Sequence, residues 1–136
     1  MLRIVLDTNV IISAIIHNGK PRKLFQIGIN GRYQILMSKE ILEEISDVLQ
    51  RPKLKMTGED ILRIISALVQ SSENVSVESQ IQAIFKDPDD DIVINTAYDG
   101  NADYIVSGDK DIRELGEFQN IKIVSVDEML KILSRQ

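Results

Sequence analysis

Hydrophobic positions along the chain switch repeatedly between a strand-like and a helix-like spacing. Residues 2–6 (LRIVL) form an unbroken apolar, β-branched run, the pattern of a strand buried on both faces. Residues 8–18 (TNVIISAIIHN) then read as a helix ended by Gly19. Pro21 suits the first turn of a second helix, PRKLFQIGIN, which stops near Gly31. YQILM (33–37) predicts a second strand, and Ser38 stands as N-cap to a helix, KEILEEISDVLQR, closed by Pro52. Thr57 and Asp60 mark the next helix start, with Ile61, Ile64, Ile65, Leu68 and Val69 at helical spacing.

The second half repeats the alternation. NVSV (74–77) predicts a short strand, KDPDDD (86–91) an acidic loop, and DIVINTAYDG (91–100) a helix ended by Gly100. DYIVS (103–107) is a strand, GDKDI (108–112) a loop, IKIVS (121–125) a last strand and VDEMLKIL (126–133) a last helix. Strands alternating with helices predict an α/β fold with a mainly parallel sheet. No internal repeat or linker divides the 136 residues, so residues 1–136 form a single expected domain. In such sheets ligands sit outside the carboxyl ends of the strands.

Composition narrows the chemistry by exclusion. Hydrophobic residues make up 43% and charged residues 27%, a globular mix. Sixteen basic against 21 acidic residues give a net charge of −5, which argues against a purely electrostatic nucleic-acid binder but not against an enzyme whose carboxylates are neutralised by metal. The absence of cysteine removes disulfides, thiolate zinc sites and cysteine nucleophiles, and a single histidine, His17, removes any site that needs two. Tryptophan is absent and aromatics are 4%, so stacking platforms for single-stranded bases are not expected. No apolar run approaches the roughly 20 residues of a membrane span, and the start MLRIVLDTN reads as a strand meeting an acid rather than a signal peptide. No membrane association and a cytoplasmic location follow as expectations.

The acids fall at the edge where ligands bind. Asp7 stands where the first strand hands over to a helix, and Asp109 stands two residues past the strand ending at Ser107. Alone, the first reads as a helix N-cap and the second as a turn residue. In the helix of residues 39–51, Ile41, Leu42, Ile45, Val48 and Leu49 form one stripe. Glu43 falls nearly opposite that stripe, Glu40 and Asp47 lie well away, and Glu44 sits at its edge, roughly 100° from the centre. Asp87, Asp89, Asp90 and Asp91 exceed what capping the following helix needs: Asp90 reads as the cap, and Asp91 as a side chain fixed on the first turn.

Each acid has a bland explanation; their conjunction has fewer. Like charges about 4 Å apart repel by roughly 4 kcal/mol per pair at an effective dielectric near 20, so a fold that gathers them calls for a counter-ion. Hard oxygen ligands select Mg²⁺ or Mn²⁺ over zinc. The matching chemistry is metal-assisted hydrolysis of a phosphodiester, which needs no histidine base.

LDTNV (6–10), EILEEISDVL (40–49), DPDDD (87–91) and ADYIVSGDKDI (102–112) together resemble the PIN domain, in order and over nearly the whole chain. The likeness is to the branch labelled as toxins of toxin–antitoxin pairs. The resemblance implies a three-layer α/β/α fold, with a central, mainly parallel, twisted sheet of four or five strands flanked by helices, and a Mg²⁺/Mn²⁺-dependent ribonuclease whose catalytic and metal-binding acids map onto Asp7, Glu44, Asp91 and Asp109, with Asp111 as a fifth metal-binding position. The choice among Asp89, Asp90 and Asp91, and between Asp109 and Asp111, stays open. Thr8, Asn9 and Ser107 would orient the ligands, Ser107 standing where many relatives carry threonine. For members labelled as toxins the resemblance also implies a small antitoxin protein as partner and a homodimer, neither of which is readable from the residues.

Contact with RNA phosphates would fall to Lys20, Arg22 and Lys23, to Lys110 and Arg113 beside Asp109, and to Arg51, Lys53 and Lys55; all of these also read as solvated surface charges. Other classes fit less well. A haloacid-dehalogenase-type phosphatase needs a second aspartate two positions after the first, where Asn9 stands, and a receiver domain needs paired acids near the first strand. A GxxxxGK[ST] phosphate loop is absent. The non-enzymatic alternative is a PIN fold that binds RNA or protein without turnover.

Overall fold

The structure is a computed structural model and describes residues 1–83 and 90–136. Strand β1 (Arg3–Leu6) leads into helices α1 (Thr8–Ile16) and α2 (Lys20–Ile29). Strand β2 (Gln34–Met37), helix α3 (Lys39–Leu49), a 3₁₀ turn (Pro52–Leu54), helix α4 (Gly58–Ser71) and strand β3 (Ser72–Asn74) follow. The second half holds α5 (Asp90–Asp99), β4 (Tyr104–Val106), α6 (Lys110–Glu114), β5 (Glu117–Phe118), β6 (Ile121–Val124) and α7 (Val126–Ser134). The strands form one six-stranded sheet in the order β3-β2-β1-β4-β6-β5, flanked by helices.

Five strands run parallel and β5 alone runs antiparallel, so the expected mainly parallel α/β sheet is present with one strand more than the upper count. The extra strand is two residues long, too short to show a period. It turns back on β6 through Gln119 and Asn120, both at positive φ (49° and 69°), the conformation that two-residue hairpin loops require. β3 starts at Ser72, directly after α4 and ahead of the NVSV segment, because Ile35 to Met37 of β2 pair with Ser72 to Asn74. The expected loop 108–112 runs into helix α6, which starts at Lys110 and whose first amides are capped by Asp109. Of the acidic loop 86–91, Asp87 and Asp89 lie outside the described residues. Asp90, read from sequence as the cap, is the first residue of α5.

β1 is central, between β2 and β4, and its Ile4 and Val5 are fully buried. From β1 the chain moves outward through β2 to β3, then returns to place β4 on the other side of β1 and continues to β6. The strand order therefore reverses between β1 and β4. A crevice opens at such a switch point beyond the carboxyl ends of the strands.

Local packing follows the sequence stripe closely in α3, where Ile41, Ile45 and Leu49 are fully buried while Glu43 and Asp47 are exposed. The Ser38 hydroxyl caps this helix by accepting from the Ile41 amide, and Thr57 with Asp60 forms a complete capping box on α4. α2 meets β2 at Gly28. A methyl there would lie 2.6 Å from Tyr33 Cζ, 2.8 Å from its hydroxyl and 2.9 Å from Ile35 Cδ1. Tyr33 cannot swing aside freely, since it is buried and its hydroxyl donates to the Leu24 carbonyl (2.8 Å). Gly28→Ala is therefore expected to destabilise by about 1–3 kcal/mol through overpacking, outweighing the gain of roughly 1 kcal/mol in helix propensity. A denaturant midpoint equal to or above the parent's would contradict this.

Candidate metal centre at the carboxyl edge of the sheet

Asp7 extends β1 by one ladder bond, its amide donating to the Val106 carbonyl (2.9 Å), while its own carbonyl accepts from Val10 and Ile11 and so starts α1. It occupies the N-cap position, yet its side chain makes no capping hydrogen bond. The carboxylate is instead buried (4% exposed) and turned toward β4, where the Ser107 hydroxyl donates to Oδ2 at 2.8 Å. Ser107, fully buried, accepts in turn from the Asp109 amide at 3.0 Å. One hydroxyl thus ties the ends of β1 and β4 together and fixes Asp109 beside Asp7. Asp109 is half-buried, and its Oδ1 accepts from the amides of Asp111 (2.7 Å) and Ile112 (3.2 Å).

Burial pushes the Asp7 carboxyl above the usual carboxylate range. The Ser107 hydrogen bond opposes that rise, the Asp109 charge adds to it, and the amides of Thr8 and Asn9 oppose it again; the rise prevails. Two aspartates near enough for the charge of one to raise the carboxyl of the other, which is itself short of solvation, form an arrangement that a cation would relieve.

The donor set fits a hard divalent cation. Asp7 and Asp109 offer carboxylate oxygens, and Thr8, 1% exposed, has a sealed hydroxyl with no hydrogen-bond partner among the described residues. Among those residues no three carboxylates come together closely enough to cage an ion.

The remaining sequence candidates stand on α1, α3, α5 and α6. Asn9 is exposed on the first turn of α1, and Asp111 is half-buried beside Asp109. Glu44 is half-buried at the margin of the α3 stripe, as its angle predicts, on a helix that packs against α1 and α5. Glu40 is also half-buried rather than turned away. Asp91 is 8% exposed, and its Oδ1 accepts from the Ala83 amide at 2.9 Å. Asp90 stands three, four and seven positions before buried Val93, Ile94 and Ala97, on their stripe, and its Oδ2 is sealed from solvent. Thr96, not singled out by sequence, shares a buried 2.8 Å hydrogen bond with Ser38 and so locks α5 to the carboxyl end of β2.

Among the basic residues, Lys20 pairs with Asp127 (2.8 Å) at the start of α7, which leaves the carboxyl end of β6. Arg22 donates from Nε and Nη2 to the carbonyls of Ala14 and Ile15, satisfying the last turn of α1. Lys110 lies 3.9 Å from Glu114, and Lys23 and Arg113 are exposed.

Ser107→Ala is expected to cost about 1–3 kcal/mol, because it strips a donor from a buried carboxylate and an acceptor from the Asp109 amide. The Asp7 carboxyl should titrate higher still. A carboxyl-resolved NMR titration that leaves Asp7 unmoved would refute the clasp.

A family model described as PIN domain matches residues 3–111. "Uncharacterized protein MJ1680" of Methanocaldococcus jannaschii is 36% identical over 118 residues, covering 84% of this chain and 75% of that protein. Among solved structures, the crystal structure of VapBC2 from Rickettsia felis bound to a DNA fragment from their promoter superimposes with a TM-score of 0.62 at 15% identity. The match covers 91% of this chain and 98% of that one, and at this identity it speaks for the fold.

Proposed function

Because the chain belongs to the PIN-domain family, we propose that it is a divalent-metal-dependent endoribonuclease that hydrolyses phosphodiester bonds of RNA. The observation that carries the reading is the Asp7–Asp109 pair, held by Ser107 at the switch point of the sheet, with the Asp7 carboxyl raised by burial and by its neighbour's charge. Asp7 and Asp109 would hold Mg²⁺ or Mn²⁺, with Glu44, Asp111 and an acid of the α5 start as further donors and Thr8 and Asn9 as orienting groups. When bound, the ion supplies water activation and charge stabilisation at the scissile phosphate. Ser107 keeps the Asp7 carboxylate oriented, and its acceptance of the Asp109 amide keeps the two acids in register. Lys23, Lys110 and Arg113 present exposed cations to an incoming phosphate backbone, Lys110 and Arg113 from the helix that Asp109 caps.

The likeness to VapBC2 and the toxin-branch character of the motifs support a role as the toxin of a toxin–antitoxin pair, with a small antitoxin protein as partner; a homodimer and a cytoplasmic location are proposed along with that role. Among the described residues no helix is long and apolar enough to cross a membrane. Incubating labelled RNAs with the protein and Mn²⁺ or Mg²⁺, with and without EDTA, should give cleavage that EDTA stops. The second reading, a PIN fold that binds RNA or protein without turnover, is favoured by the lack of three convening carboxylates among the described residues. No cleavage of diverse RNAs, with a melting temperature insensitive to millimolar Mn²⁺, would establish it instead.

A further inference from the structure

Arg51, Lys53 and Lys55 crowd into the turn between α3 and α4. Residues 50–58 hold these three cations and no acid, in a chain of net charge −5. All three are exposed, and none forms an ion pair among the described residues. Cations of the flanking helices do: Lys39 meets Glu43 (3.8 Å) and Arg63 meets Asp60 (3.5 Å). The turn is held in shape from within. The Leu54 amide donates to the Arg51 carbonyl (3.0 Å), and the Lys55 amide to the Pro52 carbonyl (3.1 Å). Lys55 stands at φ 54° and ψ 31°, in the left-handed region where glycine is relaxed and a side chain is strained. A cation occupies that position all the same.

Beside this turn a groove of about 510 Å³ opens between α3 and the first half of α4. Its apolar lining is Met56, Ile61, Leu62 and Ile65; its polar lining includes Ser46 and Gln50, joined by a 3.1 Å hydrogen bond. Leu62 is 67% exposed, more than any other large apolar side chain among the described residues except Met1. A lone exposed leucine is ordinary, but this one shares a concave surface with half-buried Met56 and Ile65. The cations adjoin that surface directly, since Arg51 follows Gln50 and Lys55 precedes Met56.

We propose that this groove docks an amphipathic helix of a partner protein, with an aliphatic stripe against Met56, Leu62 and Ile65 and acidic residues against Arg51, Lys53 and Lys55. Such a helix buries its apolar face in the groove and sets its charges on the rim. Gly58 to Ile65 spans about 10 Å, so a partner helix of roughly two to three turns covers the apolar lining. A nucleic-acid strand fits less well. Its phosphates would meet the cations but leave Leu62 and Ile65 in water, and no aromatic ring lines the groove to stack a base. α3 begins beside the carboxyl end of β2 and is about 16 Å long, so the groove at its far end lies a helix length from that strand end. The inference goes beyond the nuclease reading and needs no cation at Asp7.

Short helix-stabilised peptides with one common leucine stripe, flanked by glutamate, by lysine or by glutamine, test it by NMR titration into the isotope-labelled full chain. The glutamate peptide should bind saturably and shift the amides of Met56, Leu62 and Ile65 together with those of Lys53 and Lys55. The glutamine peptide should bind more weakly, and the lysine peptide more weakly still. Leu62→Asp should weaken the glutamate peptide by about tenfold or more, as loss of an apolar anchor does. Lys53→Glu combined with Lys55→Glu should also weaken it and flatten its salt dependence. These side chains are exposed, so both variants should melt with the parent, which separates lost docking from a lost fold. No saturable binding of the glutamate peptide, equal affinity for the glutamate and lysine peptides, or binding unmoved by Leu62→Asp would each overturn the proposal. So would a single-stranded RNA oligomer, added in EDTA, that shifts the turn at lower concentration than the glutamate peptide, since the cations would then serve nucleic acid. A parent dimer that Leu62→Asp dissociates in sedimentation would make the occupant a second copy of this chain instead. None of these readouts depends on RNA cleavage or on Mn²⁺, so failure here and failure of the nuclease reading stay distinct.

Discussion

Asp7→Asn should abolish metal-dependent RNA cleavage while leaving the cation-free protein at least as stable as the parent. The loss follows from removing a charged oxygen at the proposed cation. A catalytic ion contributes several kcal/mol of transition-state stabilisation, and at roughly 1.4 kcal/mol per tenfold this corresponds to a rate loss on the order of 10³. The retained stability follows from the environment of the carboxylate: it is buried, it faces Asp109, and its carboxyl is raised. A carboxyl that binds its proton more tightly in the folded state contributes stability that is fully present below the ordinary aspartate range and is lost as pH rises through the folded value. Neutral asparagine carries no such loss and keeps an oxygen for the Ser107 hydroxyl. The parent's stability should therefore fall with rising pH across the window just above the usual carboxylate range, and the variant's should lack that component. Mn²⁺ at about 100 times its dissociation constant should stabilise the parent by roughly 2.7 kcal/mol and leave the variant unmoved. Melting curves with and without Mn²⁺ across pH, beside the cleavage assay, check all three. Cleavage by the variant at the parent's rate, or an equal Mn²⁺ shift in both, would remove Asp7 from the centre.

Ile45→Ala should be among the most destabilising single truncations in the chain, at about 2–5 kcal/mol. Ile45 is fully buried in the middle of the α3 stripe, between Ile41 and Leu49, and a close-packed interior fills the resulting void only in part. Its neighbour Glu44 gives the contrast. Glu44→Gln changes a half-buried polar group at the stripe margin, so it should alter metal response far more than stability. Denaturant titration of the two variants separates the effects. A midpoint shift for Ile45→Ala no larger than that of Glu44→Gln would mean that α3 does not pack as described.

How much of this was legible in the residues depends on how local each determinant is. The order of strands and helices was readable because it rests on periodicity within short windows: the β-branched run of β1, the α3 stripe, and the Thr57–Asp60 capping box on α4. The misplacements share a cause. β3 is set by pairing with Ile35–Met37, β5 by the left-handed Gln119–Asn120 turn closing onto β6, and α6 by the Asp109 cap, and none of these leaves a period in the sequence. In the candidate centre, the carboxyl-edge position of Asp7 and Asp109 was readable from where the strands end. Helical spacing sets Asp90 and Asp91 on different arcs of α5, and spacing alone leaves open which of them serves the centre.

The sequence by itself determined the α/β alternation and the acidic, cysteine-free chemistry, because side-chain type and spacing act over a few residues. Tertiary structure alone decided that residues a hundred positions apart share one hydroxyl clasp, that the Asp7 side chain takes the Ser107 hydroxyl rather than a cap, and that Asp91 binds the Ala83 amide. Those outcomes depend on which strands become neighbours and which helix face meets the sheet, and desolvation and like-charge proximity act only once that packing has removed water from between the groups.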